Sequence, residues 1–128
     1  MAGIGGRFTF GSAGTAPAKI GVPADPRAIA CVAAAGLDLT AHRTRAASAD
    51  LLQSAHLVLA LDSSILEHVR LQVDPVTRSQ VGGLMTYAPE TGVAEVADPW
   101  AGTAADYAQA FALIRSGVDG LVAGLRTG

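Results

Sequence analysis

Few residues in this 128-residue chain are equipped for chemistry. Its one cysteine, Cys31, cannot form an internal disulfide and cannot hold a metal alone. A thiol becomes a strong nucleophile when a cation or a helix N-terminus lowers its pKa. Cys31 lies in an alanine-rich helical stretch with no cation beside it in sequence, the setting of a small packed side chain; a reactive thiol is the alternative. The histidines, His42, His56 and His68, lack the spacing of a metal pair on one helix face, and no cysteine or carboxylate cluster joins them. His56 heads an apolar run and His68 falls on a helix, so both read as structural or surface residues. No serine sits in a Gly-x-Ser-x-Gly elbow. Asp98-Pro99-Trp100 is the more pointed signal. The proline stiffens the backbone after the acid, and a carboxyl so held in a loop can serve as a general acid. The same dipeptide also builds ordinary turns and caps.

The elements that must position these residues can be read along the chain. Gly3, Gly5 and Gly6 make a flexible lead-in; a phosphate cradle there would need a Gly-Lys-Ser/Thr ending and a preceding strand. Arg7-Phe8-Thr9-Phe10 is a short β-prone run that stops at turn-forming Gly11 to Gly14. Asp25 caps a helix with Pro26 at its first position, and the helix runs to Gly36. A polar connector follows, carrying His42, Arg43 and Arg45. Ser48 caps a short helix over 49–54. His56 to Leu61 is a continuous apolar run, the pattern of a strand covered on both faces. Ser63 or Ser64 caps a helix to about Leu71, and Asp74-Pro75 punctuates a loop. Val81 to Tyr87 predicts a strand with its best part at Leu84 to Tyr87. Pro89 to Ala97 reads as loop. From Thr103, its cap, to Leu125, apolar residues recur at three- and four-residue steps, which predicts a long helix. Strands alternating with helices make an α/β fold, a mainly parallel sheet flanked by helices, in a single domain over 1–128.

Composition narrows the function classes. Nine basic and eleven acidic side chains leave a net charge of -2, which argues against nucleic acid as partner. No apolar run reaches the ~18 residues of a membrane helix. The start lacks the basic-then-apolar pattern of a signal peptide, so a cytoplasmic, reducing setting is expected. Nothing calls for a cofactor.

Several segments, in order, resemble the low-molecular-weight protein tyrosine phosphatase family. They are Ser12-Ala13-Gly14-Thr15, Pro23-Ala24-Asp25-Pro26-Arg27-Ala28, Asp38-Leu39-Thr40-Ala41-His42-Arg43-Thr44-Arg45, Leu57 to Ser63, Asp98-Pro99-Trp100, and Asp106-Tyr107 with Phe111 to Leu125. The likeness spans about Phe8 to Leu125 and implies a Rossmann-like phosphatase fold. In that family a cysteine thiolate in a Cys-x5-Arg loop attacks phosphotyrosine, and an aspartate in an Asp-Pro-Tyr loop protonates the leaving phenolate. The resemblance implies Asp98 as general acid and Trp100, in place of the tyrosine, as a wall of the substrate slot. It implies Ser12 and His42 as residues bracing the phosphate loop, and Asp62 as the acid of the turn after the third strand. Leu61 and Ile65 depart from the family's usual Met and Asn there.

The sharpest departure is at the nucleophile. No Cys-x5-Arg occurs: Cys31 is followed by Val-Ala-Ala-Ala-Gly-Leu and matches the family's second helix. The family's first strand, phosphate loop and first helix have no counterpart in these residues. Such a chain is expected to be inactive as it stands, with two inner sheet edges left open. Three alternative outcomes are open to such a chain: Arg7–Phe10 pairing directly with His56–Leu61, a homodimer whose partner edges fill the gap, or poor stability with aggregation. The readings are a truncated phosphatase acting on a phosphotyrosine protein or small aryl phosphate once the segment is supplied, a non-catalytic pseudophosphatase binding module, and an arsenate-reductase-like relative. A recruited Cys31 nucleophile is a weaker option.

Overall fold

A computed structural model of the chain describes residues 11–15, 20–99 and 101–127. The β-prone run Arg7–Phe10 and Trp100 lie outside the described residues.

Helix α1 spans Pro26–Ala33. Asp25 starts it as expected, its carboxylate accepting the Arg27 backbone N–H at 2.8 Å, with proline where a missing N–H costs nothing. Gly36 ends it with φ near 80°, a left-handed turn that a Cβ would oppose. There the Leu37 N–H bonds to the Val32 carbonyl and the Gly36 N–H to that of Ala33, closing the last turn. Helix α2 spans Ala49–Ser54, capped by Ser48.

Strand β1, Val58–Ala60, uses the centre of the predicted apolar run, while Leu57 stays exposed. It pairs in parallel with β2, Val81–Gly83, so that Val58 faces Val81 and Ala60 faces Gly83. Between them lie α3, Ser63–Gln72, and α4, Pro75–Arg78. Helix α5, Ala104–Thr127, closes the chain.

The structure differs from the sequence reading at several boundaries, and Pro89–Thr91, within the segment read as loop, is a short 3-10 turn. Asp62, not Ser63 or Ser64, caps α3: its Oδ1 accepts the Ile65 N–H at 2.8 Å. β1 stops at Ala60, so the helix begins earlier than expected. Asp74-Pro75 opens α4 instead of a loop, because Asp74 Oδ1 accepts the Thr77 N–H at 2.7 Å and proline suits a first helical turn. Leu84–Tyr87 is a 3-10 turn, not the best part of a strand. The Thr86 hydroxyl donates to the Gly83 carbonyl at 2.7 Å, and α5 packs over the turn. Gly117 and Gly120 permit that approach: a Cβ on Gly117 would meet the Leu84 side chain, and one on Gly120 would strike the Tyr87 carbonyl.

Two apolar clusters result. Leu52, Val69, Val73 and Val81 fill one, with Val58, Ile65 and Leu66 against them. Met85, Ala88, Val96 and Ala110 fill the other, with Leu61, Leu113 and Ile114. The second cluster joins α5 to the segment that leads into Asp98. Among the described residues, no helix is long and apolar enough to cross a membrane.

Candidate active site

Asp98 is exposed on a loop whose two ends are tied down. On the incoming side, buried Val96 donates its N–H to the Leu61 carbonyl at 2.8 Å, just past the end of β1. On the outgoing side the chain folds into a turn, the Gly102 N–H bonding to the Pro99 carbonyl at 2.8 Å. Asp106 then reaches back, its carboxylate accepting the Thr103 N–H at 2.8 Å. This is half of a capping box and bears out Thr103 as the cap position of α5. A Cβ on Gly102 would collide with the Asp106 side chain, so a larger residue there would displace the carboxylate that caps Thr103.

Arg27 supplies a tie from α1. Its Nη1 donates to the Gly102 carbonyl at 2.7 Å, and its Cζ lies 4.7 Å from the centre of the Tyr107 ring. Asp25 grips the same guanidinium, Nε to Oδ1 at 3.1 Å and Nη2 to Oδ2 at 3.0 Å. The Arg27 side chain, then its backbone N–H, hold the Asp25 carboxyl at about 2, below its ordinary 3.8. Burial pushes the Tyr107 phenol up; the nearby Arg27 charge opposes this, while Asp25 and Asp98 reinforce it.

A second region is zipped together by backbone. Gly14 bridges Ala46 in parallel and Pro23 bridges Arg43 in antiparallel sense. Thr44 exchanges hydrogen bonds with Gly21 and Val22, and the Gly14 N–H donates to the Arg45 carbonyl at 2.9 Å. This places Ser12, half-buried His42, Arg43 and Arg45 around an open cleft of about 480 Å³, with Gly11 at its rim. Arg45 Nε donates to the Ser12 carbonyl at 2.8 Å, and Arg43 Nη1 to the carbonyls of Thr40 and His42.

Asp62 lies in neither of these groups. It lines a separate cavity of about 360 Å³ with Ser63, Ser64, Glu95, Val96 and Ala97. Glu95 accepts the Ser63 N–H at 2.5 Å, and that hydrogen-bonding holds its carboxyl below the usual range. Two carboxylates thus meet the positive end of α3. The structure therefore brings Ser12 to His42 and places Asp62 beside the segment entering the Asp98 loop. Trp100 lies outside the described residues. Cys31 is half-buried within α1 and lines neither cavity. Sequence reasoning missed Glu95, which carried no local signal. The role of Arg27 was also missed, although its place beside a capping aspartate was a clue.

Solved structures share this parallel α/β frame. YfkJ from Bacillus subtilis superposes with a TM-score of 0.86 at 23% identity, over 98% of this chain and 77% of that one. A protein tyrosine phosphatase from Entamoeba histolytica gives 0.85 at 16% identity, over 91% and 74%. The family model for low molecular weight phosphotyrosine protein phosphatase matches residues 1–128, and the chain belongs to that family. It is also 29% identical over 108 residues to a probable low molecular weight protein-tyrosine-phosphatase, EpsP of Ralstonia nicotianae, covering 83% of this chain and 70% of EpsP.

Proposed function

We propose that this chain supplies the acid-bearing and bracing half of a phosphotyrosine phosphatase site in a reducing cytoplasm, and that the nucleophile loop is not among its 128 residues. The observation that carries this reading is the contrast between Asp98 and Cys31. Asp98 is exposed on a loop anchored at both ends, while Cys31 is inside a helix with Leu37 where a Cys-x5-Arg motif needs arginine.

In the proposed reaction a thiolate from a Cys-x5-Arg segment attacks the phosphorus of an aryl phosphate. The P–S bond forms as the P–O(aryl) bond breaks. Asp98, protonated, gives its proton to the departing phenolate. As a carboxylate it then takes a proton from the water that attacks the phosphocysteine, releasing phosphate and the thiolate. Ser12 and His42 brace the supplied loop, Asp62 holds the turn after β1, and Trp100 lines the aryl slot. The partner is a phosphotyrosine protein or a small aryl phosphate.

The test compares phenyl phosphate hydrolysis by the 128-residue chain and by the chain extended upstream with a strand, a Cys-x5-Arg loop and a helix. The first is expected to show no turnover. The second is expected to turn over, and Asp98→Asn in it to lose about 10²-fold. Turnover by the chain alone would overturn the reading, and its loss in Cys31→Ser would then locate the nucleophile. A folded but inactive extended chain would favour a non-catalytic binding module, because the supplied nucleophile loop would then meet no working acid in these 128 residues.

A further inference from the structure

Gly102 is the last residue before the capped start of α5, and its N–H closes the turn that begins at Pro99. Its carbonyl accepts a hydrogen bond from α1, through Arg27 Nη1 at 2.7 Å, across 75 positions of sequence. The guanidinium is oriented for that bond by two planar constraints. Asp25 takes Nε and Nη2 in a forked pair at 3.1 and 3.0 Å, and the Tyr107 ring lies 4.7 Å beneath Cζ. A fork of this kind fixes direction as well as distance, which lysine cannot reproduce. Tyr107 belongs to α5, so the three groups lock the start of α1 to the start of α5.

From this geometry we propose that Arg27 is a positioning residue for Asp98: it fixes the Pro99–Gly102 turn through the Gly102 carbonyl and thereby sets where the Asp98 carboxyl stands. Asp25 and Tyr107 serve it by aiming the guanidinium. The assignment of a task to Asp98 rests on the phosphatase reading above; the mechanical link from Arg27 to the turn does not. Asp98 immediately precedes Pro99, whose carbonyl accepts the Gly102 N–H, so the acid sits next to the fastened turn. A positioning error of about 1 Å in a catalytic group costs on the order of 10²-fold in rate. A tie of this kind is therefore consequential although Arg27 touches no reacting atom.

The experiment is amide hydrogen exchange by NMR on the 128-residue chain with Arg27→Ala and Arg27→Lys. The Gly102 amide should lose protection on the order of tenfold in both variants, the effect of one lost charge-assisted bond on a local opening. Amides in β1, β2 and the middle of α5 should keep theirs. Lysine retains the charge and much of the stem, so it controls for a fold lost in the alanine variant. Unchanged Gly102 protection, or an equal fall at every amide in both variants, would overturn the proposal. In the extended, active chain the same variants should slow phenyl phosphate, whose leaving group needs a proton, more than p-nitrophenyl phosphate, whose leaving group needs little help. Equal slowing of both would also overturn it. No turnover in the extended parent would count against the phosphatase reading and leave the exchange result standing.

Discussion

Arg27 and Arg45 each cross from one segment to a backbone carbonyl of another, to Gly102 at 2.7 Å and to Ser12 at 2.8 Å. Their charges are handled differently. Arg27 has Asp25 on two of its nitrogens and an aromatic face beneath it. Arg45 and its neighbour Arg43 bond only to carbonyls, and among the described residues neither pairs with a carboxylate. At the Asp98 loop the charge is neutralised locally and what remains is direction. At the Ser12–His42 cleft the positive field is left in place, which raises the local concentration of anions. One region is held by a compensated staple, the other by a backbone zipper carrying uncompensated cations.

That contrast can be broken most forcefully through α5. Gly120→Ala should destabilise the chain by roughly 1–3 kcal/mol in urea unfolding, because the added methyl would strike the Tyr87 carbonyl. Gly124→Ala, where a Cβ meets nothing, should instead stabilise by about 0.5–1 kcal/mol through helix propensity. If the two regions are separate units, Gly120→Ala should lower exchange protection at Gly102 more than at Gly14, whose N–H bonds to the Arg45 carbonyl outside the α5 contact. Equal losses at both amides would show one cooperative unit instead.

The sequence revealed the two regions unequally. Asp25-Pro26, Ser48 and the apolar repeat from Tyr107 to Leu125 are local signals, and each produced the element expected of it. The likeness of scattered short motifs gave the fold, and with it the placing of Ser12 near His42. The Arg27–Gly102 bond could not be read in the same way, since it joins residues 75 apart and becomes visible only when α1 and α5 are packed. Leu84–Tyr87 misled for a related reason: its composition suits a strand, but burial under Gly117 and Gly120 and the Thr86 hydroxyl bond select a tight turn. Local propensity yields to packing where a helix lies this close.

A smaller effect separates the regions by pH. The folded Asp25 carboxyl titrates at about 2, below its ordinary 3.8, so the folded state binds its proton less readily than the unfolded state. Its contribution is complete above about pH 4 and is lost as pH falls towards 2. The difference in urea midpoint between the parent chain and Asp25→Asn should therefore be full at pH 6 and gone near pH 2. Asp38, Asp74 and Glu95 are lowered too, each by hydrogen bonds to the carboxylate, so the parent chain as a whole loses stability over the acid range. The comparison with Asp25→Asn isolates the Arg27 staple from that background. A difference that persists unchanged to pH 2 would mean the staple does not depend on the ionised pair.

Salt gives the finest distinction, because the two regions should respond with opposite sign. Raising ionic strength weakens the attraction between Arg27 and Asp25, both partly exposed, so the advantage of the parent over Asp25→Asn should shrink. Arg43 and Arg45 are like charges two residues apart on an extended segment, and salt should relieve their repulsion. Arg45→Ala loses the bond to Ser12 but also loses that repulsion. Its net cost should be about 0.5 kcal/mol or less, and should grow as salt rises and the repulsion it removed matters less to the parent. Urea midpoints at 0.05 and 1 M salt, a change in screening length from roughly 14 to 3 Å, read both variants in one series. A cost of Arg45→Ala that falls with salt would place an unseen anionic partner on that arginine and erase the difference between the two regions.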